Sequence, residues 1–161
     1  MEATKDITVY FEQPCHNYEA CRTVRQSCPR PLILDESAVD LTTIIKGWHE
    51  GGFDGINLKI GKVGGLTKAL KIRNLCAGLG IPMYIQCAGG NSLTQAAIVH
   101  LAQSTPPNRL FSVWDIGDII RFQTASNAIK CVGGLMRANE LPGLGMEMLS
   151  DTLGEPVQVY E

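Results

Sequence analysis

Several features are missing from this 161-residue chain, and each absence removes a class of function. No apolar run approaches the ~20 residues that a membrane span needs, and the opening MEATKDITVYF lacks the basic-then-apolar layout of a signal peptide. There is no run of lysine or arginine, and 14 basic residues face 16 acidic ones for a net charge of −2. A surface built for phosphate backbones is therefore not expected, and neither nucleic acid nor membrane is an expected partner. The six cysteines, Cys15, Cys21, Cys28, Cys76, Cys87 and Cys131, form no C-x-x-C and have no histidine at zinc-finger distance, so neither a disulfide scaffold nor a structural zinc site is expected. The sequence predicts reduced, buried thiols in a cytoplasmic protein, with Cys21 and Cys28 sharing one packed face of a helical stretch.

What is present has the balance of an ordinary globular domain, with 45% hydrophobic and 19% charged residues. Seventeen glycines exceed the usual share of ~7% and hint at loops of special geometry. Short apolar, β-branched runs at Ile7–Phe11, Leu32–Leu34, Ile56–Ile60, Met83–Ile85 and Leu110–Trp114 read as strands of a parallel sheet covered on both faces. Helical segments are expected between them at Tyr18–Ser27, Leu41–His49, Leu66–Leu79 and Ser92–Gln103. Successive strand centres lie 24, 23, 27 and 28 residues apart. That period fits a parallel α/β fold, either a (β/α)8 barrel at about 31 residues per unit or a doubly wound sheet. From about Phe122 the pattern changes to glycine- and proline-rich turns, which predicts a tail that packs against something else.

Each predicted strand runs into polar residues at its C-terminal end, where α/β folds place their active sites. Glu12 and Asp35 end successive strands, and two convergent carboxylates suit either a hard cation or a general acid/base pair; separately, each could simply cap a helix. Lys59 closes the apolar strand GINLKI as an inward amine or a snorkelling surface residue. Lys62 follows in a glycine-rich loop that fits neither the GxGxxG nor the Walker pattern, so nucleotide binding is not expected. Gln86 ends the fourth strand. Trp114 and Asp115 at the end of the fifth suit an ammonium-bearing substrate, although packing alone also accounts for Trp114. His49 and His100 fall within predicted helices, whereas His16 lies near the expected mouth. Ser37 and Ser92 lack the G-x-S-x-G context of a serine hydrolase.

Taken together, Tyr-Phe-Glu-Gln-Pro at 10–14, Leu-Asp-Glu-Ser at 34–37, Ile-Asn-Leu-Lys-Ile-Gly-Lys-Val-Gly-Gly-Leu-Thr-Lys-Ala at 56–69 and Pro-Gly-Leu-Gly-Met-Glu at 142–147 resemble the enolase superfamily. The branch is that of mandelate racemases and muconate-lactonizing enzymes. The resemblance implies an α/β fold, a partial (β/α)8 TIM barrel holding the equivalents of the fourth to eighth strands over residues 1–121. Residues 122–161 would return toward a capping domain. It further implies Mg2+ as cofactor, Glu12 and Asp35 as metal ligands and Lys59 as the acid/base lysine; Lys62, Gln86, Trp114 and Asp115 are candidates for contact with a small carboxylate-bearing substrate. The implied reaction removes the proton next to that carboxylate, giving racemisation, epimerisation or dehydration, with a hydroxyproline-type substrate suggested by Val-Gly-Gly-Leu-Thr-Lys-Ala.

The chain also departs from that pattern. The third metal carboxylate, the Lys-x-Lys of the second barrel strand and the N-terminal part of the cap have no counterpart here, and Gln86-Cys87-Ala88-Gly89-Gly90-Asn91 stands where many relatives carry an acidic residue. The expectation is an activity that needs the missing half or self-association, with the chain alone inactive. Two further readings stand beside it: a truncated, non-catalytic homologue, and a half-barrel interaction module that pairs through its open strand edges.

Overall fold

A computed structural model describes residues 2–4 and 6–159. Its frame is β1 (Phe11–Glu12), α1 (Tyr18–Ser27), β2 (Leu32–Leu34), α2 (Leu41–His49), β3 (Gly55–Lys59), α3 (Leu66–Leu79), β4 (Met83–Gln86), α4 (Ser92–Gln103) and β5 (Leu110–Val113), with a one-turn α5 (Ser150–Leu153) in the tail. All strand pairs are parallel and the order is β1-β2-β3-β4-β5. Each strand therefore lies beside its predecessor, as barrel winding requires, whereas a doubly wound sheet reverses direction at a switch point. The spacing left both open; the strand order favours the barrel. Among the described residues β1 pairs only with β2 and β5 only with β4, so the sheet stays open. Among the described residues no helix is long and apolar enough to cross a membrane.

Helix boundaries follow local chemistry. The Asn17 side chain accepts from Ala20 N to start α1, and Asp40 does the same for Thr43 N at α2. Asn91 and Thr94 form a reciprocal capping box at α4, and α3 ends at Gly80, whose φ of +79° suits a residue without Cβ. On the convex face Leu32, Leu34, Ile56, Leu58, Met83 and Ile85 are fully buried beneath the helices. Each such side chain contributes about 1.5–3 kcal/mol by leaving water. Gly47 lets α2 approach closely, since a Cβ there would stand 2.8 Å from the Phe53 ring and 3.0 Å from that of Tyr18.

Three expectations are corrected. The first strand covers only Phe11–Glu12 rather than Ile7–Phe11, and Ile7 and Tyr10 are exposed. Phe11 N reaches Pro31 O, but the next rung upstream would need an N–H from Pro31, which has none. Second, the tail does not simply pack elsewhere: Gln95 Nε2 on α4 donates to Met136 Sδ (2.7 Å) and Ala138 N donates to Gln103 Oε1 (2.8 Å). Third, of the free cysteines only Cys21, Cys28, Cys76 and Cys87 are buried, Cys131 is exposed, and Cys28 lies just past the end of α1. Burial alone pushes the Cys76 thiol up to about 12.

On the concave face the ring of Phe111 crosses over Gly55 to meet Tyr10 edge-on, with centroids 5.4 Å apart. A Cβ on Gly55 would lie 3.2 Å from both that ring and Pro82 O. Gly55→Val is therefore expected to cost about 1–3 kcal/mol in denaturant unfolding, and adding Phe111→Ala should recover only part, because Pro82 O is backbone. A Gly55→Val variant as stable as the parent would contradict this packing.

Candidate active site

Side chains alternate along a strand, so the positions between the buried convex residues face the concave side: Glu12, Ile33, Asp35, Gly55, Asn57, Lys59, Tyr84 and Gln86. Their register is staggered. Glu12 pairs with Ile33, and Asp35 lies two residues beyond Ile33. Continuing the β2–β3 register sets Asp35 beside Asn57, and Lys59, two residues further, pairs with Gln86. Strand tilt in a barrel demands such an advance, and it draws Glu12, Asp35 and Lys59 toward one mouth.

Asp35 is the meeting point. Its side chain is buried, and Lys59 Nζ lies 2.6 Å from Oδ2 while Lys62 Nζ lies 2.9 Å from Oδ1. Lys62 also donates to the Asp35 main-chain oxygen and to Asn57 O (3.2 Å). Both lysine side chains are about 15% exposed, so Lys62 is held inward rather than waving in its glycine-rich loop. Burial opposes ionisation of Asp35, yet the hydrogen bonds and charges of Lys59 and Lys62 outweigh it and hold the carboxyl below its ordinary value. Burial in turn pushes the Lys62 ammonium down, against the pull of Asp35.

Glu12 is exposed at the end of β1. Its charge raises the Tyr84 hydroxyl, already raised by burial, although Tyr84 lies three strands away; the carboxylate thus acts across the concave face. Gln86 is buried beside Lys59. The β4–β5 register, which pairs Tyr84 with Ser112, carries Trp114 to the face shared by Gln86, where it is half-buried. Asp115 is turned to its own loop and accepts from Gly117 N (2.8 Å). His16 and His49 are exposed and His100 is half-buried.

Two residues were missed by sequence reasoning. Asn57 is fully buried, and neither side-chain polar atom has a partner among the described residues; its place in an apolar strand two residues before Lys59 was the available signal. Gln13 has a φ of +36°, and its side chain spans from the β1 end to the β2 end. No sequence signal marks that reach.

Two oxygen-bearing side chains at one mouth match what Mg2+ takes from a protein, one or two carboxylates with the other positions left for water and substrate oxygens. The buried Asp35 carboxylate already draws two cations to itself, and Glu12 stands on the same concave face with no ion pair among the described residues. Among the described residues no group of three His, Cys, Asp or Glu is placed to hold a metal, so these residues fit part of such a site.

A sequence profile described as "Enolase C-terminal domain-like" matches residues 1–152. Cis-3-hydroxy-L-proline dehydratase of Roseibium aggregatum is 44% identical over 158 residues, covering 98% of this chain and 43% of that protein. N-succinyl-L-Arg/Lys racemase of Bacillus cereus is 27% identical over 151 residues, covering 91% of this chain and 39% of that protein. Among solved structures, a mandelate racemase/muconate lactonizing enzyme from Roseovarius nubinhibens superposes with a TM-score of 0.93 at 31% identity, covering 98% of this chain and 42% of that one. An enolase-superfamily member from the same organism, complexed with magnesium, gives 0.92 at 29% identity over 99% of this chain and 44% of that one. The chain spans less than half the length of these relatives.

Removing Asp35 leaves two poorly solvated ammonium groups facing each other. Asp35→Ala should therefore cost about 3 kcal/mol in denaturant unfolding at neutral pH, and adding Lys59→Met and Lys62→Met should restore most of it. Because the native carboxyl titrates below the unfolded value of ~3.9, its contribution is complete above that pH and is lost as pH falls through the native value. Stability curves of parent and Asp35→Ala should thus converge only under acid; a constant gap down to the lowest pH would contradict the assignment.

Proposed function

We propose that this chain, which belongs to the enolase C-terminal domain-like family, carries part of the active site of a Mg2+-dependent enzyme that removes the proton next to a substrate carboxylate. The observation that carries this reading is the 2.6 Å contact between Lys59 Nζ and Asp35 Oδ2 at the ends of neighbouring strands, on the face toward which Glu12 is directed. In this reading β1 to β5 are the fourth to eighth barrel strands, and residues 122–161 return toward a cap supplied by the rest of a longer chain or by an assembly.

Glu12 and Asp35 are the residues that would hold Mg2+, which when bound supplies positive charge to the substrate carboxylate as the adjacent carbon loses its proton. Lys59, once its ammonium has released a proton to solvent, takes the substrate proton as the neutral amine, and Lys62 keeps Asp35 turned toward Lys59. Gln86 and Trp114 line the concave face beside the lysine, whereas Asp115, turned to its own loop, takes no part in this reading. Return of a proton to the opposite face gives an epimer and needs a proton donor outside these residues. Departure of a β-hydroxyl, with its proton supplied, gives water and a dehydrated product. The Roseibium relative acts, by its name, on cis-3-hydroxy-L-proline; a hydroxyproline-type substrate is proposed for this site on that ground. The 161 residues alone, with two carboxylates and one lysine face, are proposed not to turn over.

Calorimetric titration with Mg2+ should show heat that disappears when Glu12 and Asp35 are both changed to Ala and survives Asp115→Ala; unchanged binding in the double variant would exclude this site. In deuterated buffer the 161-residue chain should leave the α-hydrogen of cis-3-hydroxy-L-proline in place. Rapid exchange that Lys59→Ala abolishes would overturn the proposed incompleteness while keeping the role of Lys59.

A further inference from the structure

We propose that Gln13 is a positioning residue, a rigid strut that sets the Asp35 backbone against the strand end carrying Glu12; the proposal rests on the metal-site reading above. Its starting point is a backbone conformation that glutamine rarely adopts. Gln13 has a φ of +36°, a region that costs an L-residue with a Cβ of order 1 kcal/mol, and Pro14 behind it restricts the residue further. Glycine or asparagine would sit there more easily, so something in the glutamine side chain offsets the strain.

That side chain is fully engaged. Its Oε1 accepts from two backbone N–H groups of the next unit, Asp35 N (2.9 Å) and Ser37 N (3.2 Å). Its Nε2 donates to Ser37 Oγ (2.7 Å) and Cys15 O (2.9 Å), with Cys21 Sγ at 3.6 Å. Burial pushes the Cys21 thiol up, so it stays protonated and itself donates to Cys15 O. One carboxamide thus ties the β1–α1 loop and α1 to the β2–α2 loop. The main-chain N–H of Gln13 adds the last rung of the β1–β2 ladder by donating to Ile33 O (2.9 Å). Glu12 is the residue before the strut and Asp35 holds its far end. Because β1 has only two residues and, among the described residues, one neighbouring strand, little else in the described structure fixes where Glu12 stands relative to Asp35.

Two variants separate positioning from general support. Gln13→Met keeps the volume and loses every side-chain hydrogen bond. Gln13→Glu keeps both acceptor bonds to Asp35 N and Ser37 N, and the Ser37 hydroxyl can rotate to donate to it. Binding of Mn2+, followed by electron paramagnetic resonance, should weaken about tenfold to a hundredfold in Gln13→Met and stay at or above the parent level in Gln13→Glu. Amide exchange at Asp35 and Ser37 should accelerate at least about tenfold in Gln13→Met, while amides of β3 keep their protection.

The proposal is overturned if Gln13→Met binds Mn2+ as the parent does with both amides still protected, or if Gln13→Glu loses as much as Gln13→Met. Should Gln13→Met fail to fold, Gln13→Glu compared with the parent decides by the same two readouts. Absence of Mn2+ binding in the parent would count against the metal-site reading, and the amide measurement would then decide the strut by itself.

Discussion

A carboxylate removed from water is costly unless cations replace its hydration, and Asp35 meets that demand with two. Lys59 holds one oxygen and Lys62 the other, so the last residue of β3 and its following loop are drawn onto the end of β2. The contact only works because β2 and β3 are staggered: Lys59 must stand two positions beyond the partner of Asp35 to reach it. The tilt that gives this stagger is the same tilt that bends a sequential parallel sheet toward a barrel. Charge placement and sheet curvature therefore depend on one another.

The two faces of the sheet divide the labour. Buried aliphatic side chains on the convex side anchor the helices and carry most of the stability. The concave side pays little attention to apolar burial: it holds two lysines, a buried aspartate, an orphaned asparagine and an aromatic bridge over Gly55. Asn57 is fully buried there, and neither of its side-chain polar atoms has a partner among the described residues.

Much of this frame was legible in the sequence, for stated reasons. Apolar runs located β2 to β5 within one residue at either end, because apolar side chains that lie in the buried core or pack against it recur in each of them. The polar residues at their ends were visible as breaks in those runs. The first strand was overextended, because apolar character at Ile7 and Val9 says nothing of the missing N–H on Pro31. Spacing could not separate a barrel from a doubly wound sheet; only neighbour order does. Lys62, three residues beyond Lys59, was readable as a residue of the mouth, but its grip on Asp35 was not, and neither was the reach of Gln13, since positive φ in glutamine has no sequence signature. The tail's grip on α4 depends on Gln95 and Gln103, two helix residues whose partners lie 41 and 35 positions away.

The central claim is that Glu12, Asp35 and Lys59 share one mouth and that a divalent cation belongs there. Paramagnetic broadening tests it most directly: Mn2+ added well below one equivalent to protein carrying 13C-labelled carboxylates and lysine side chains. The account predicts selective loss of the Glu12 and Asp35 carboxylate signals together with the Lys59 and Lys62 side-chain signals, while Asp115 and Asp151 stay sharp. Loss of Asp115 or Asp151 first, with Asp35 and Glu12 untouched, would contradict it.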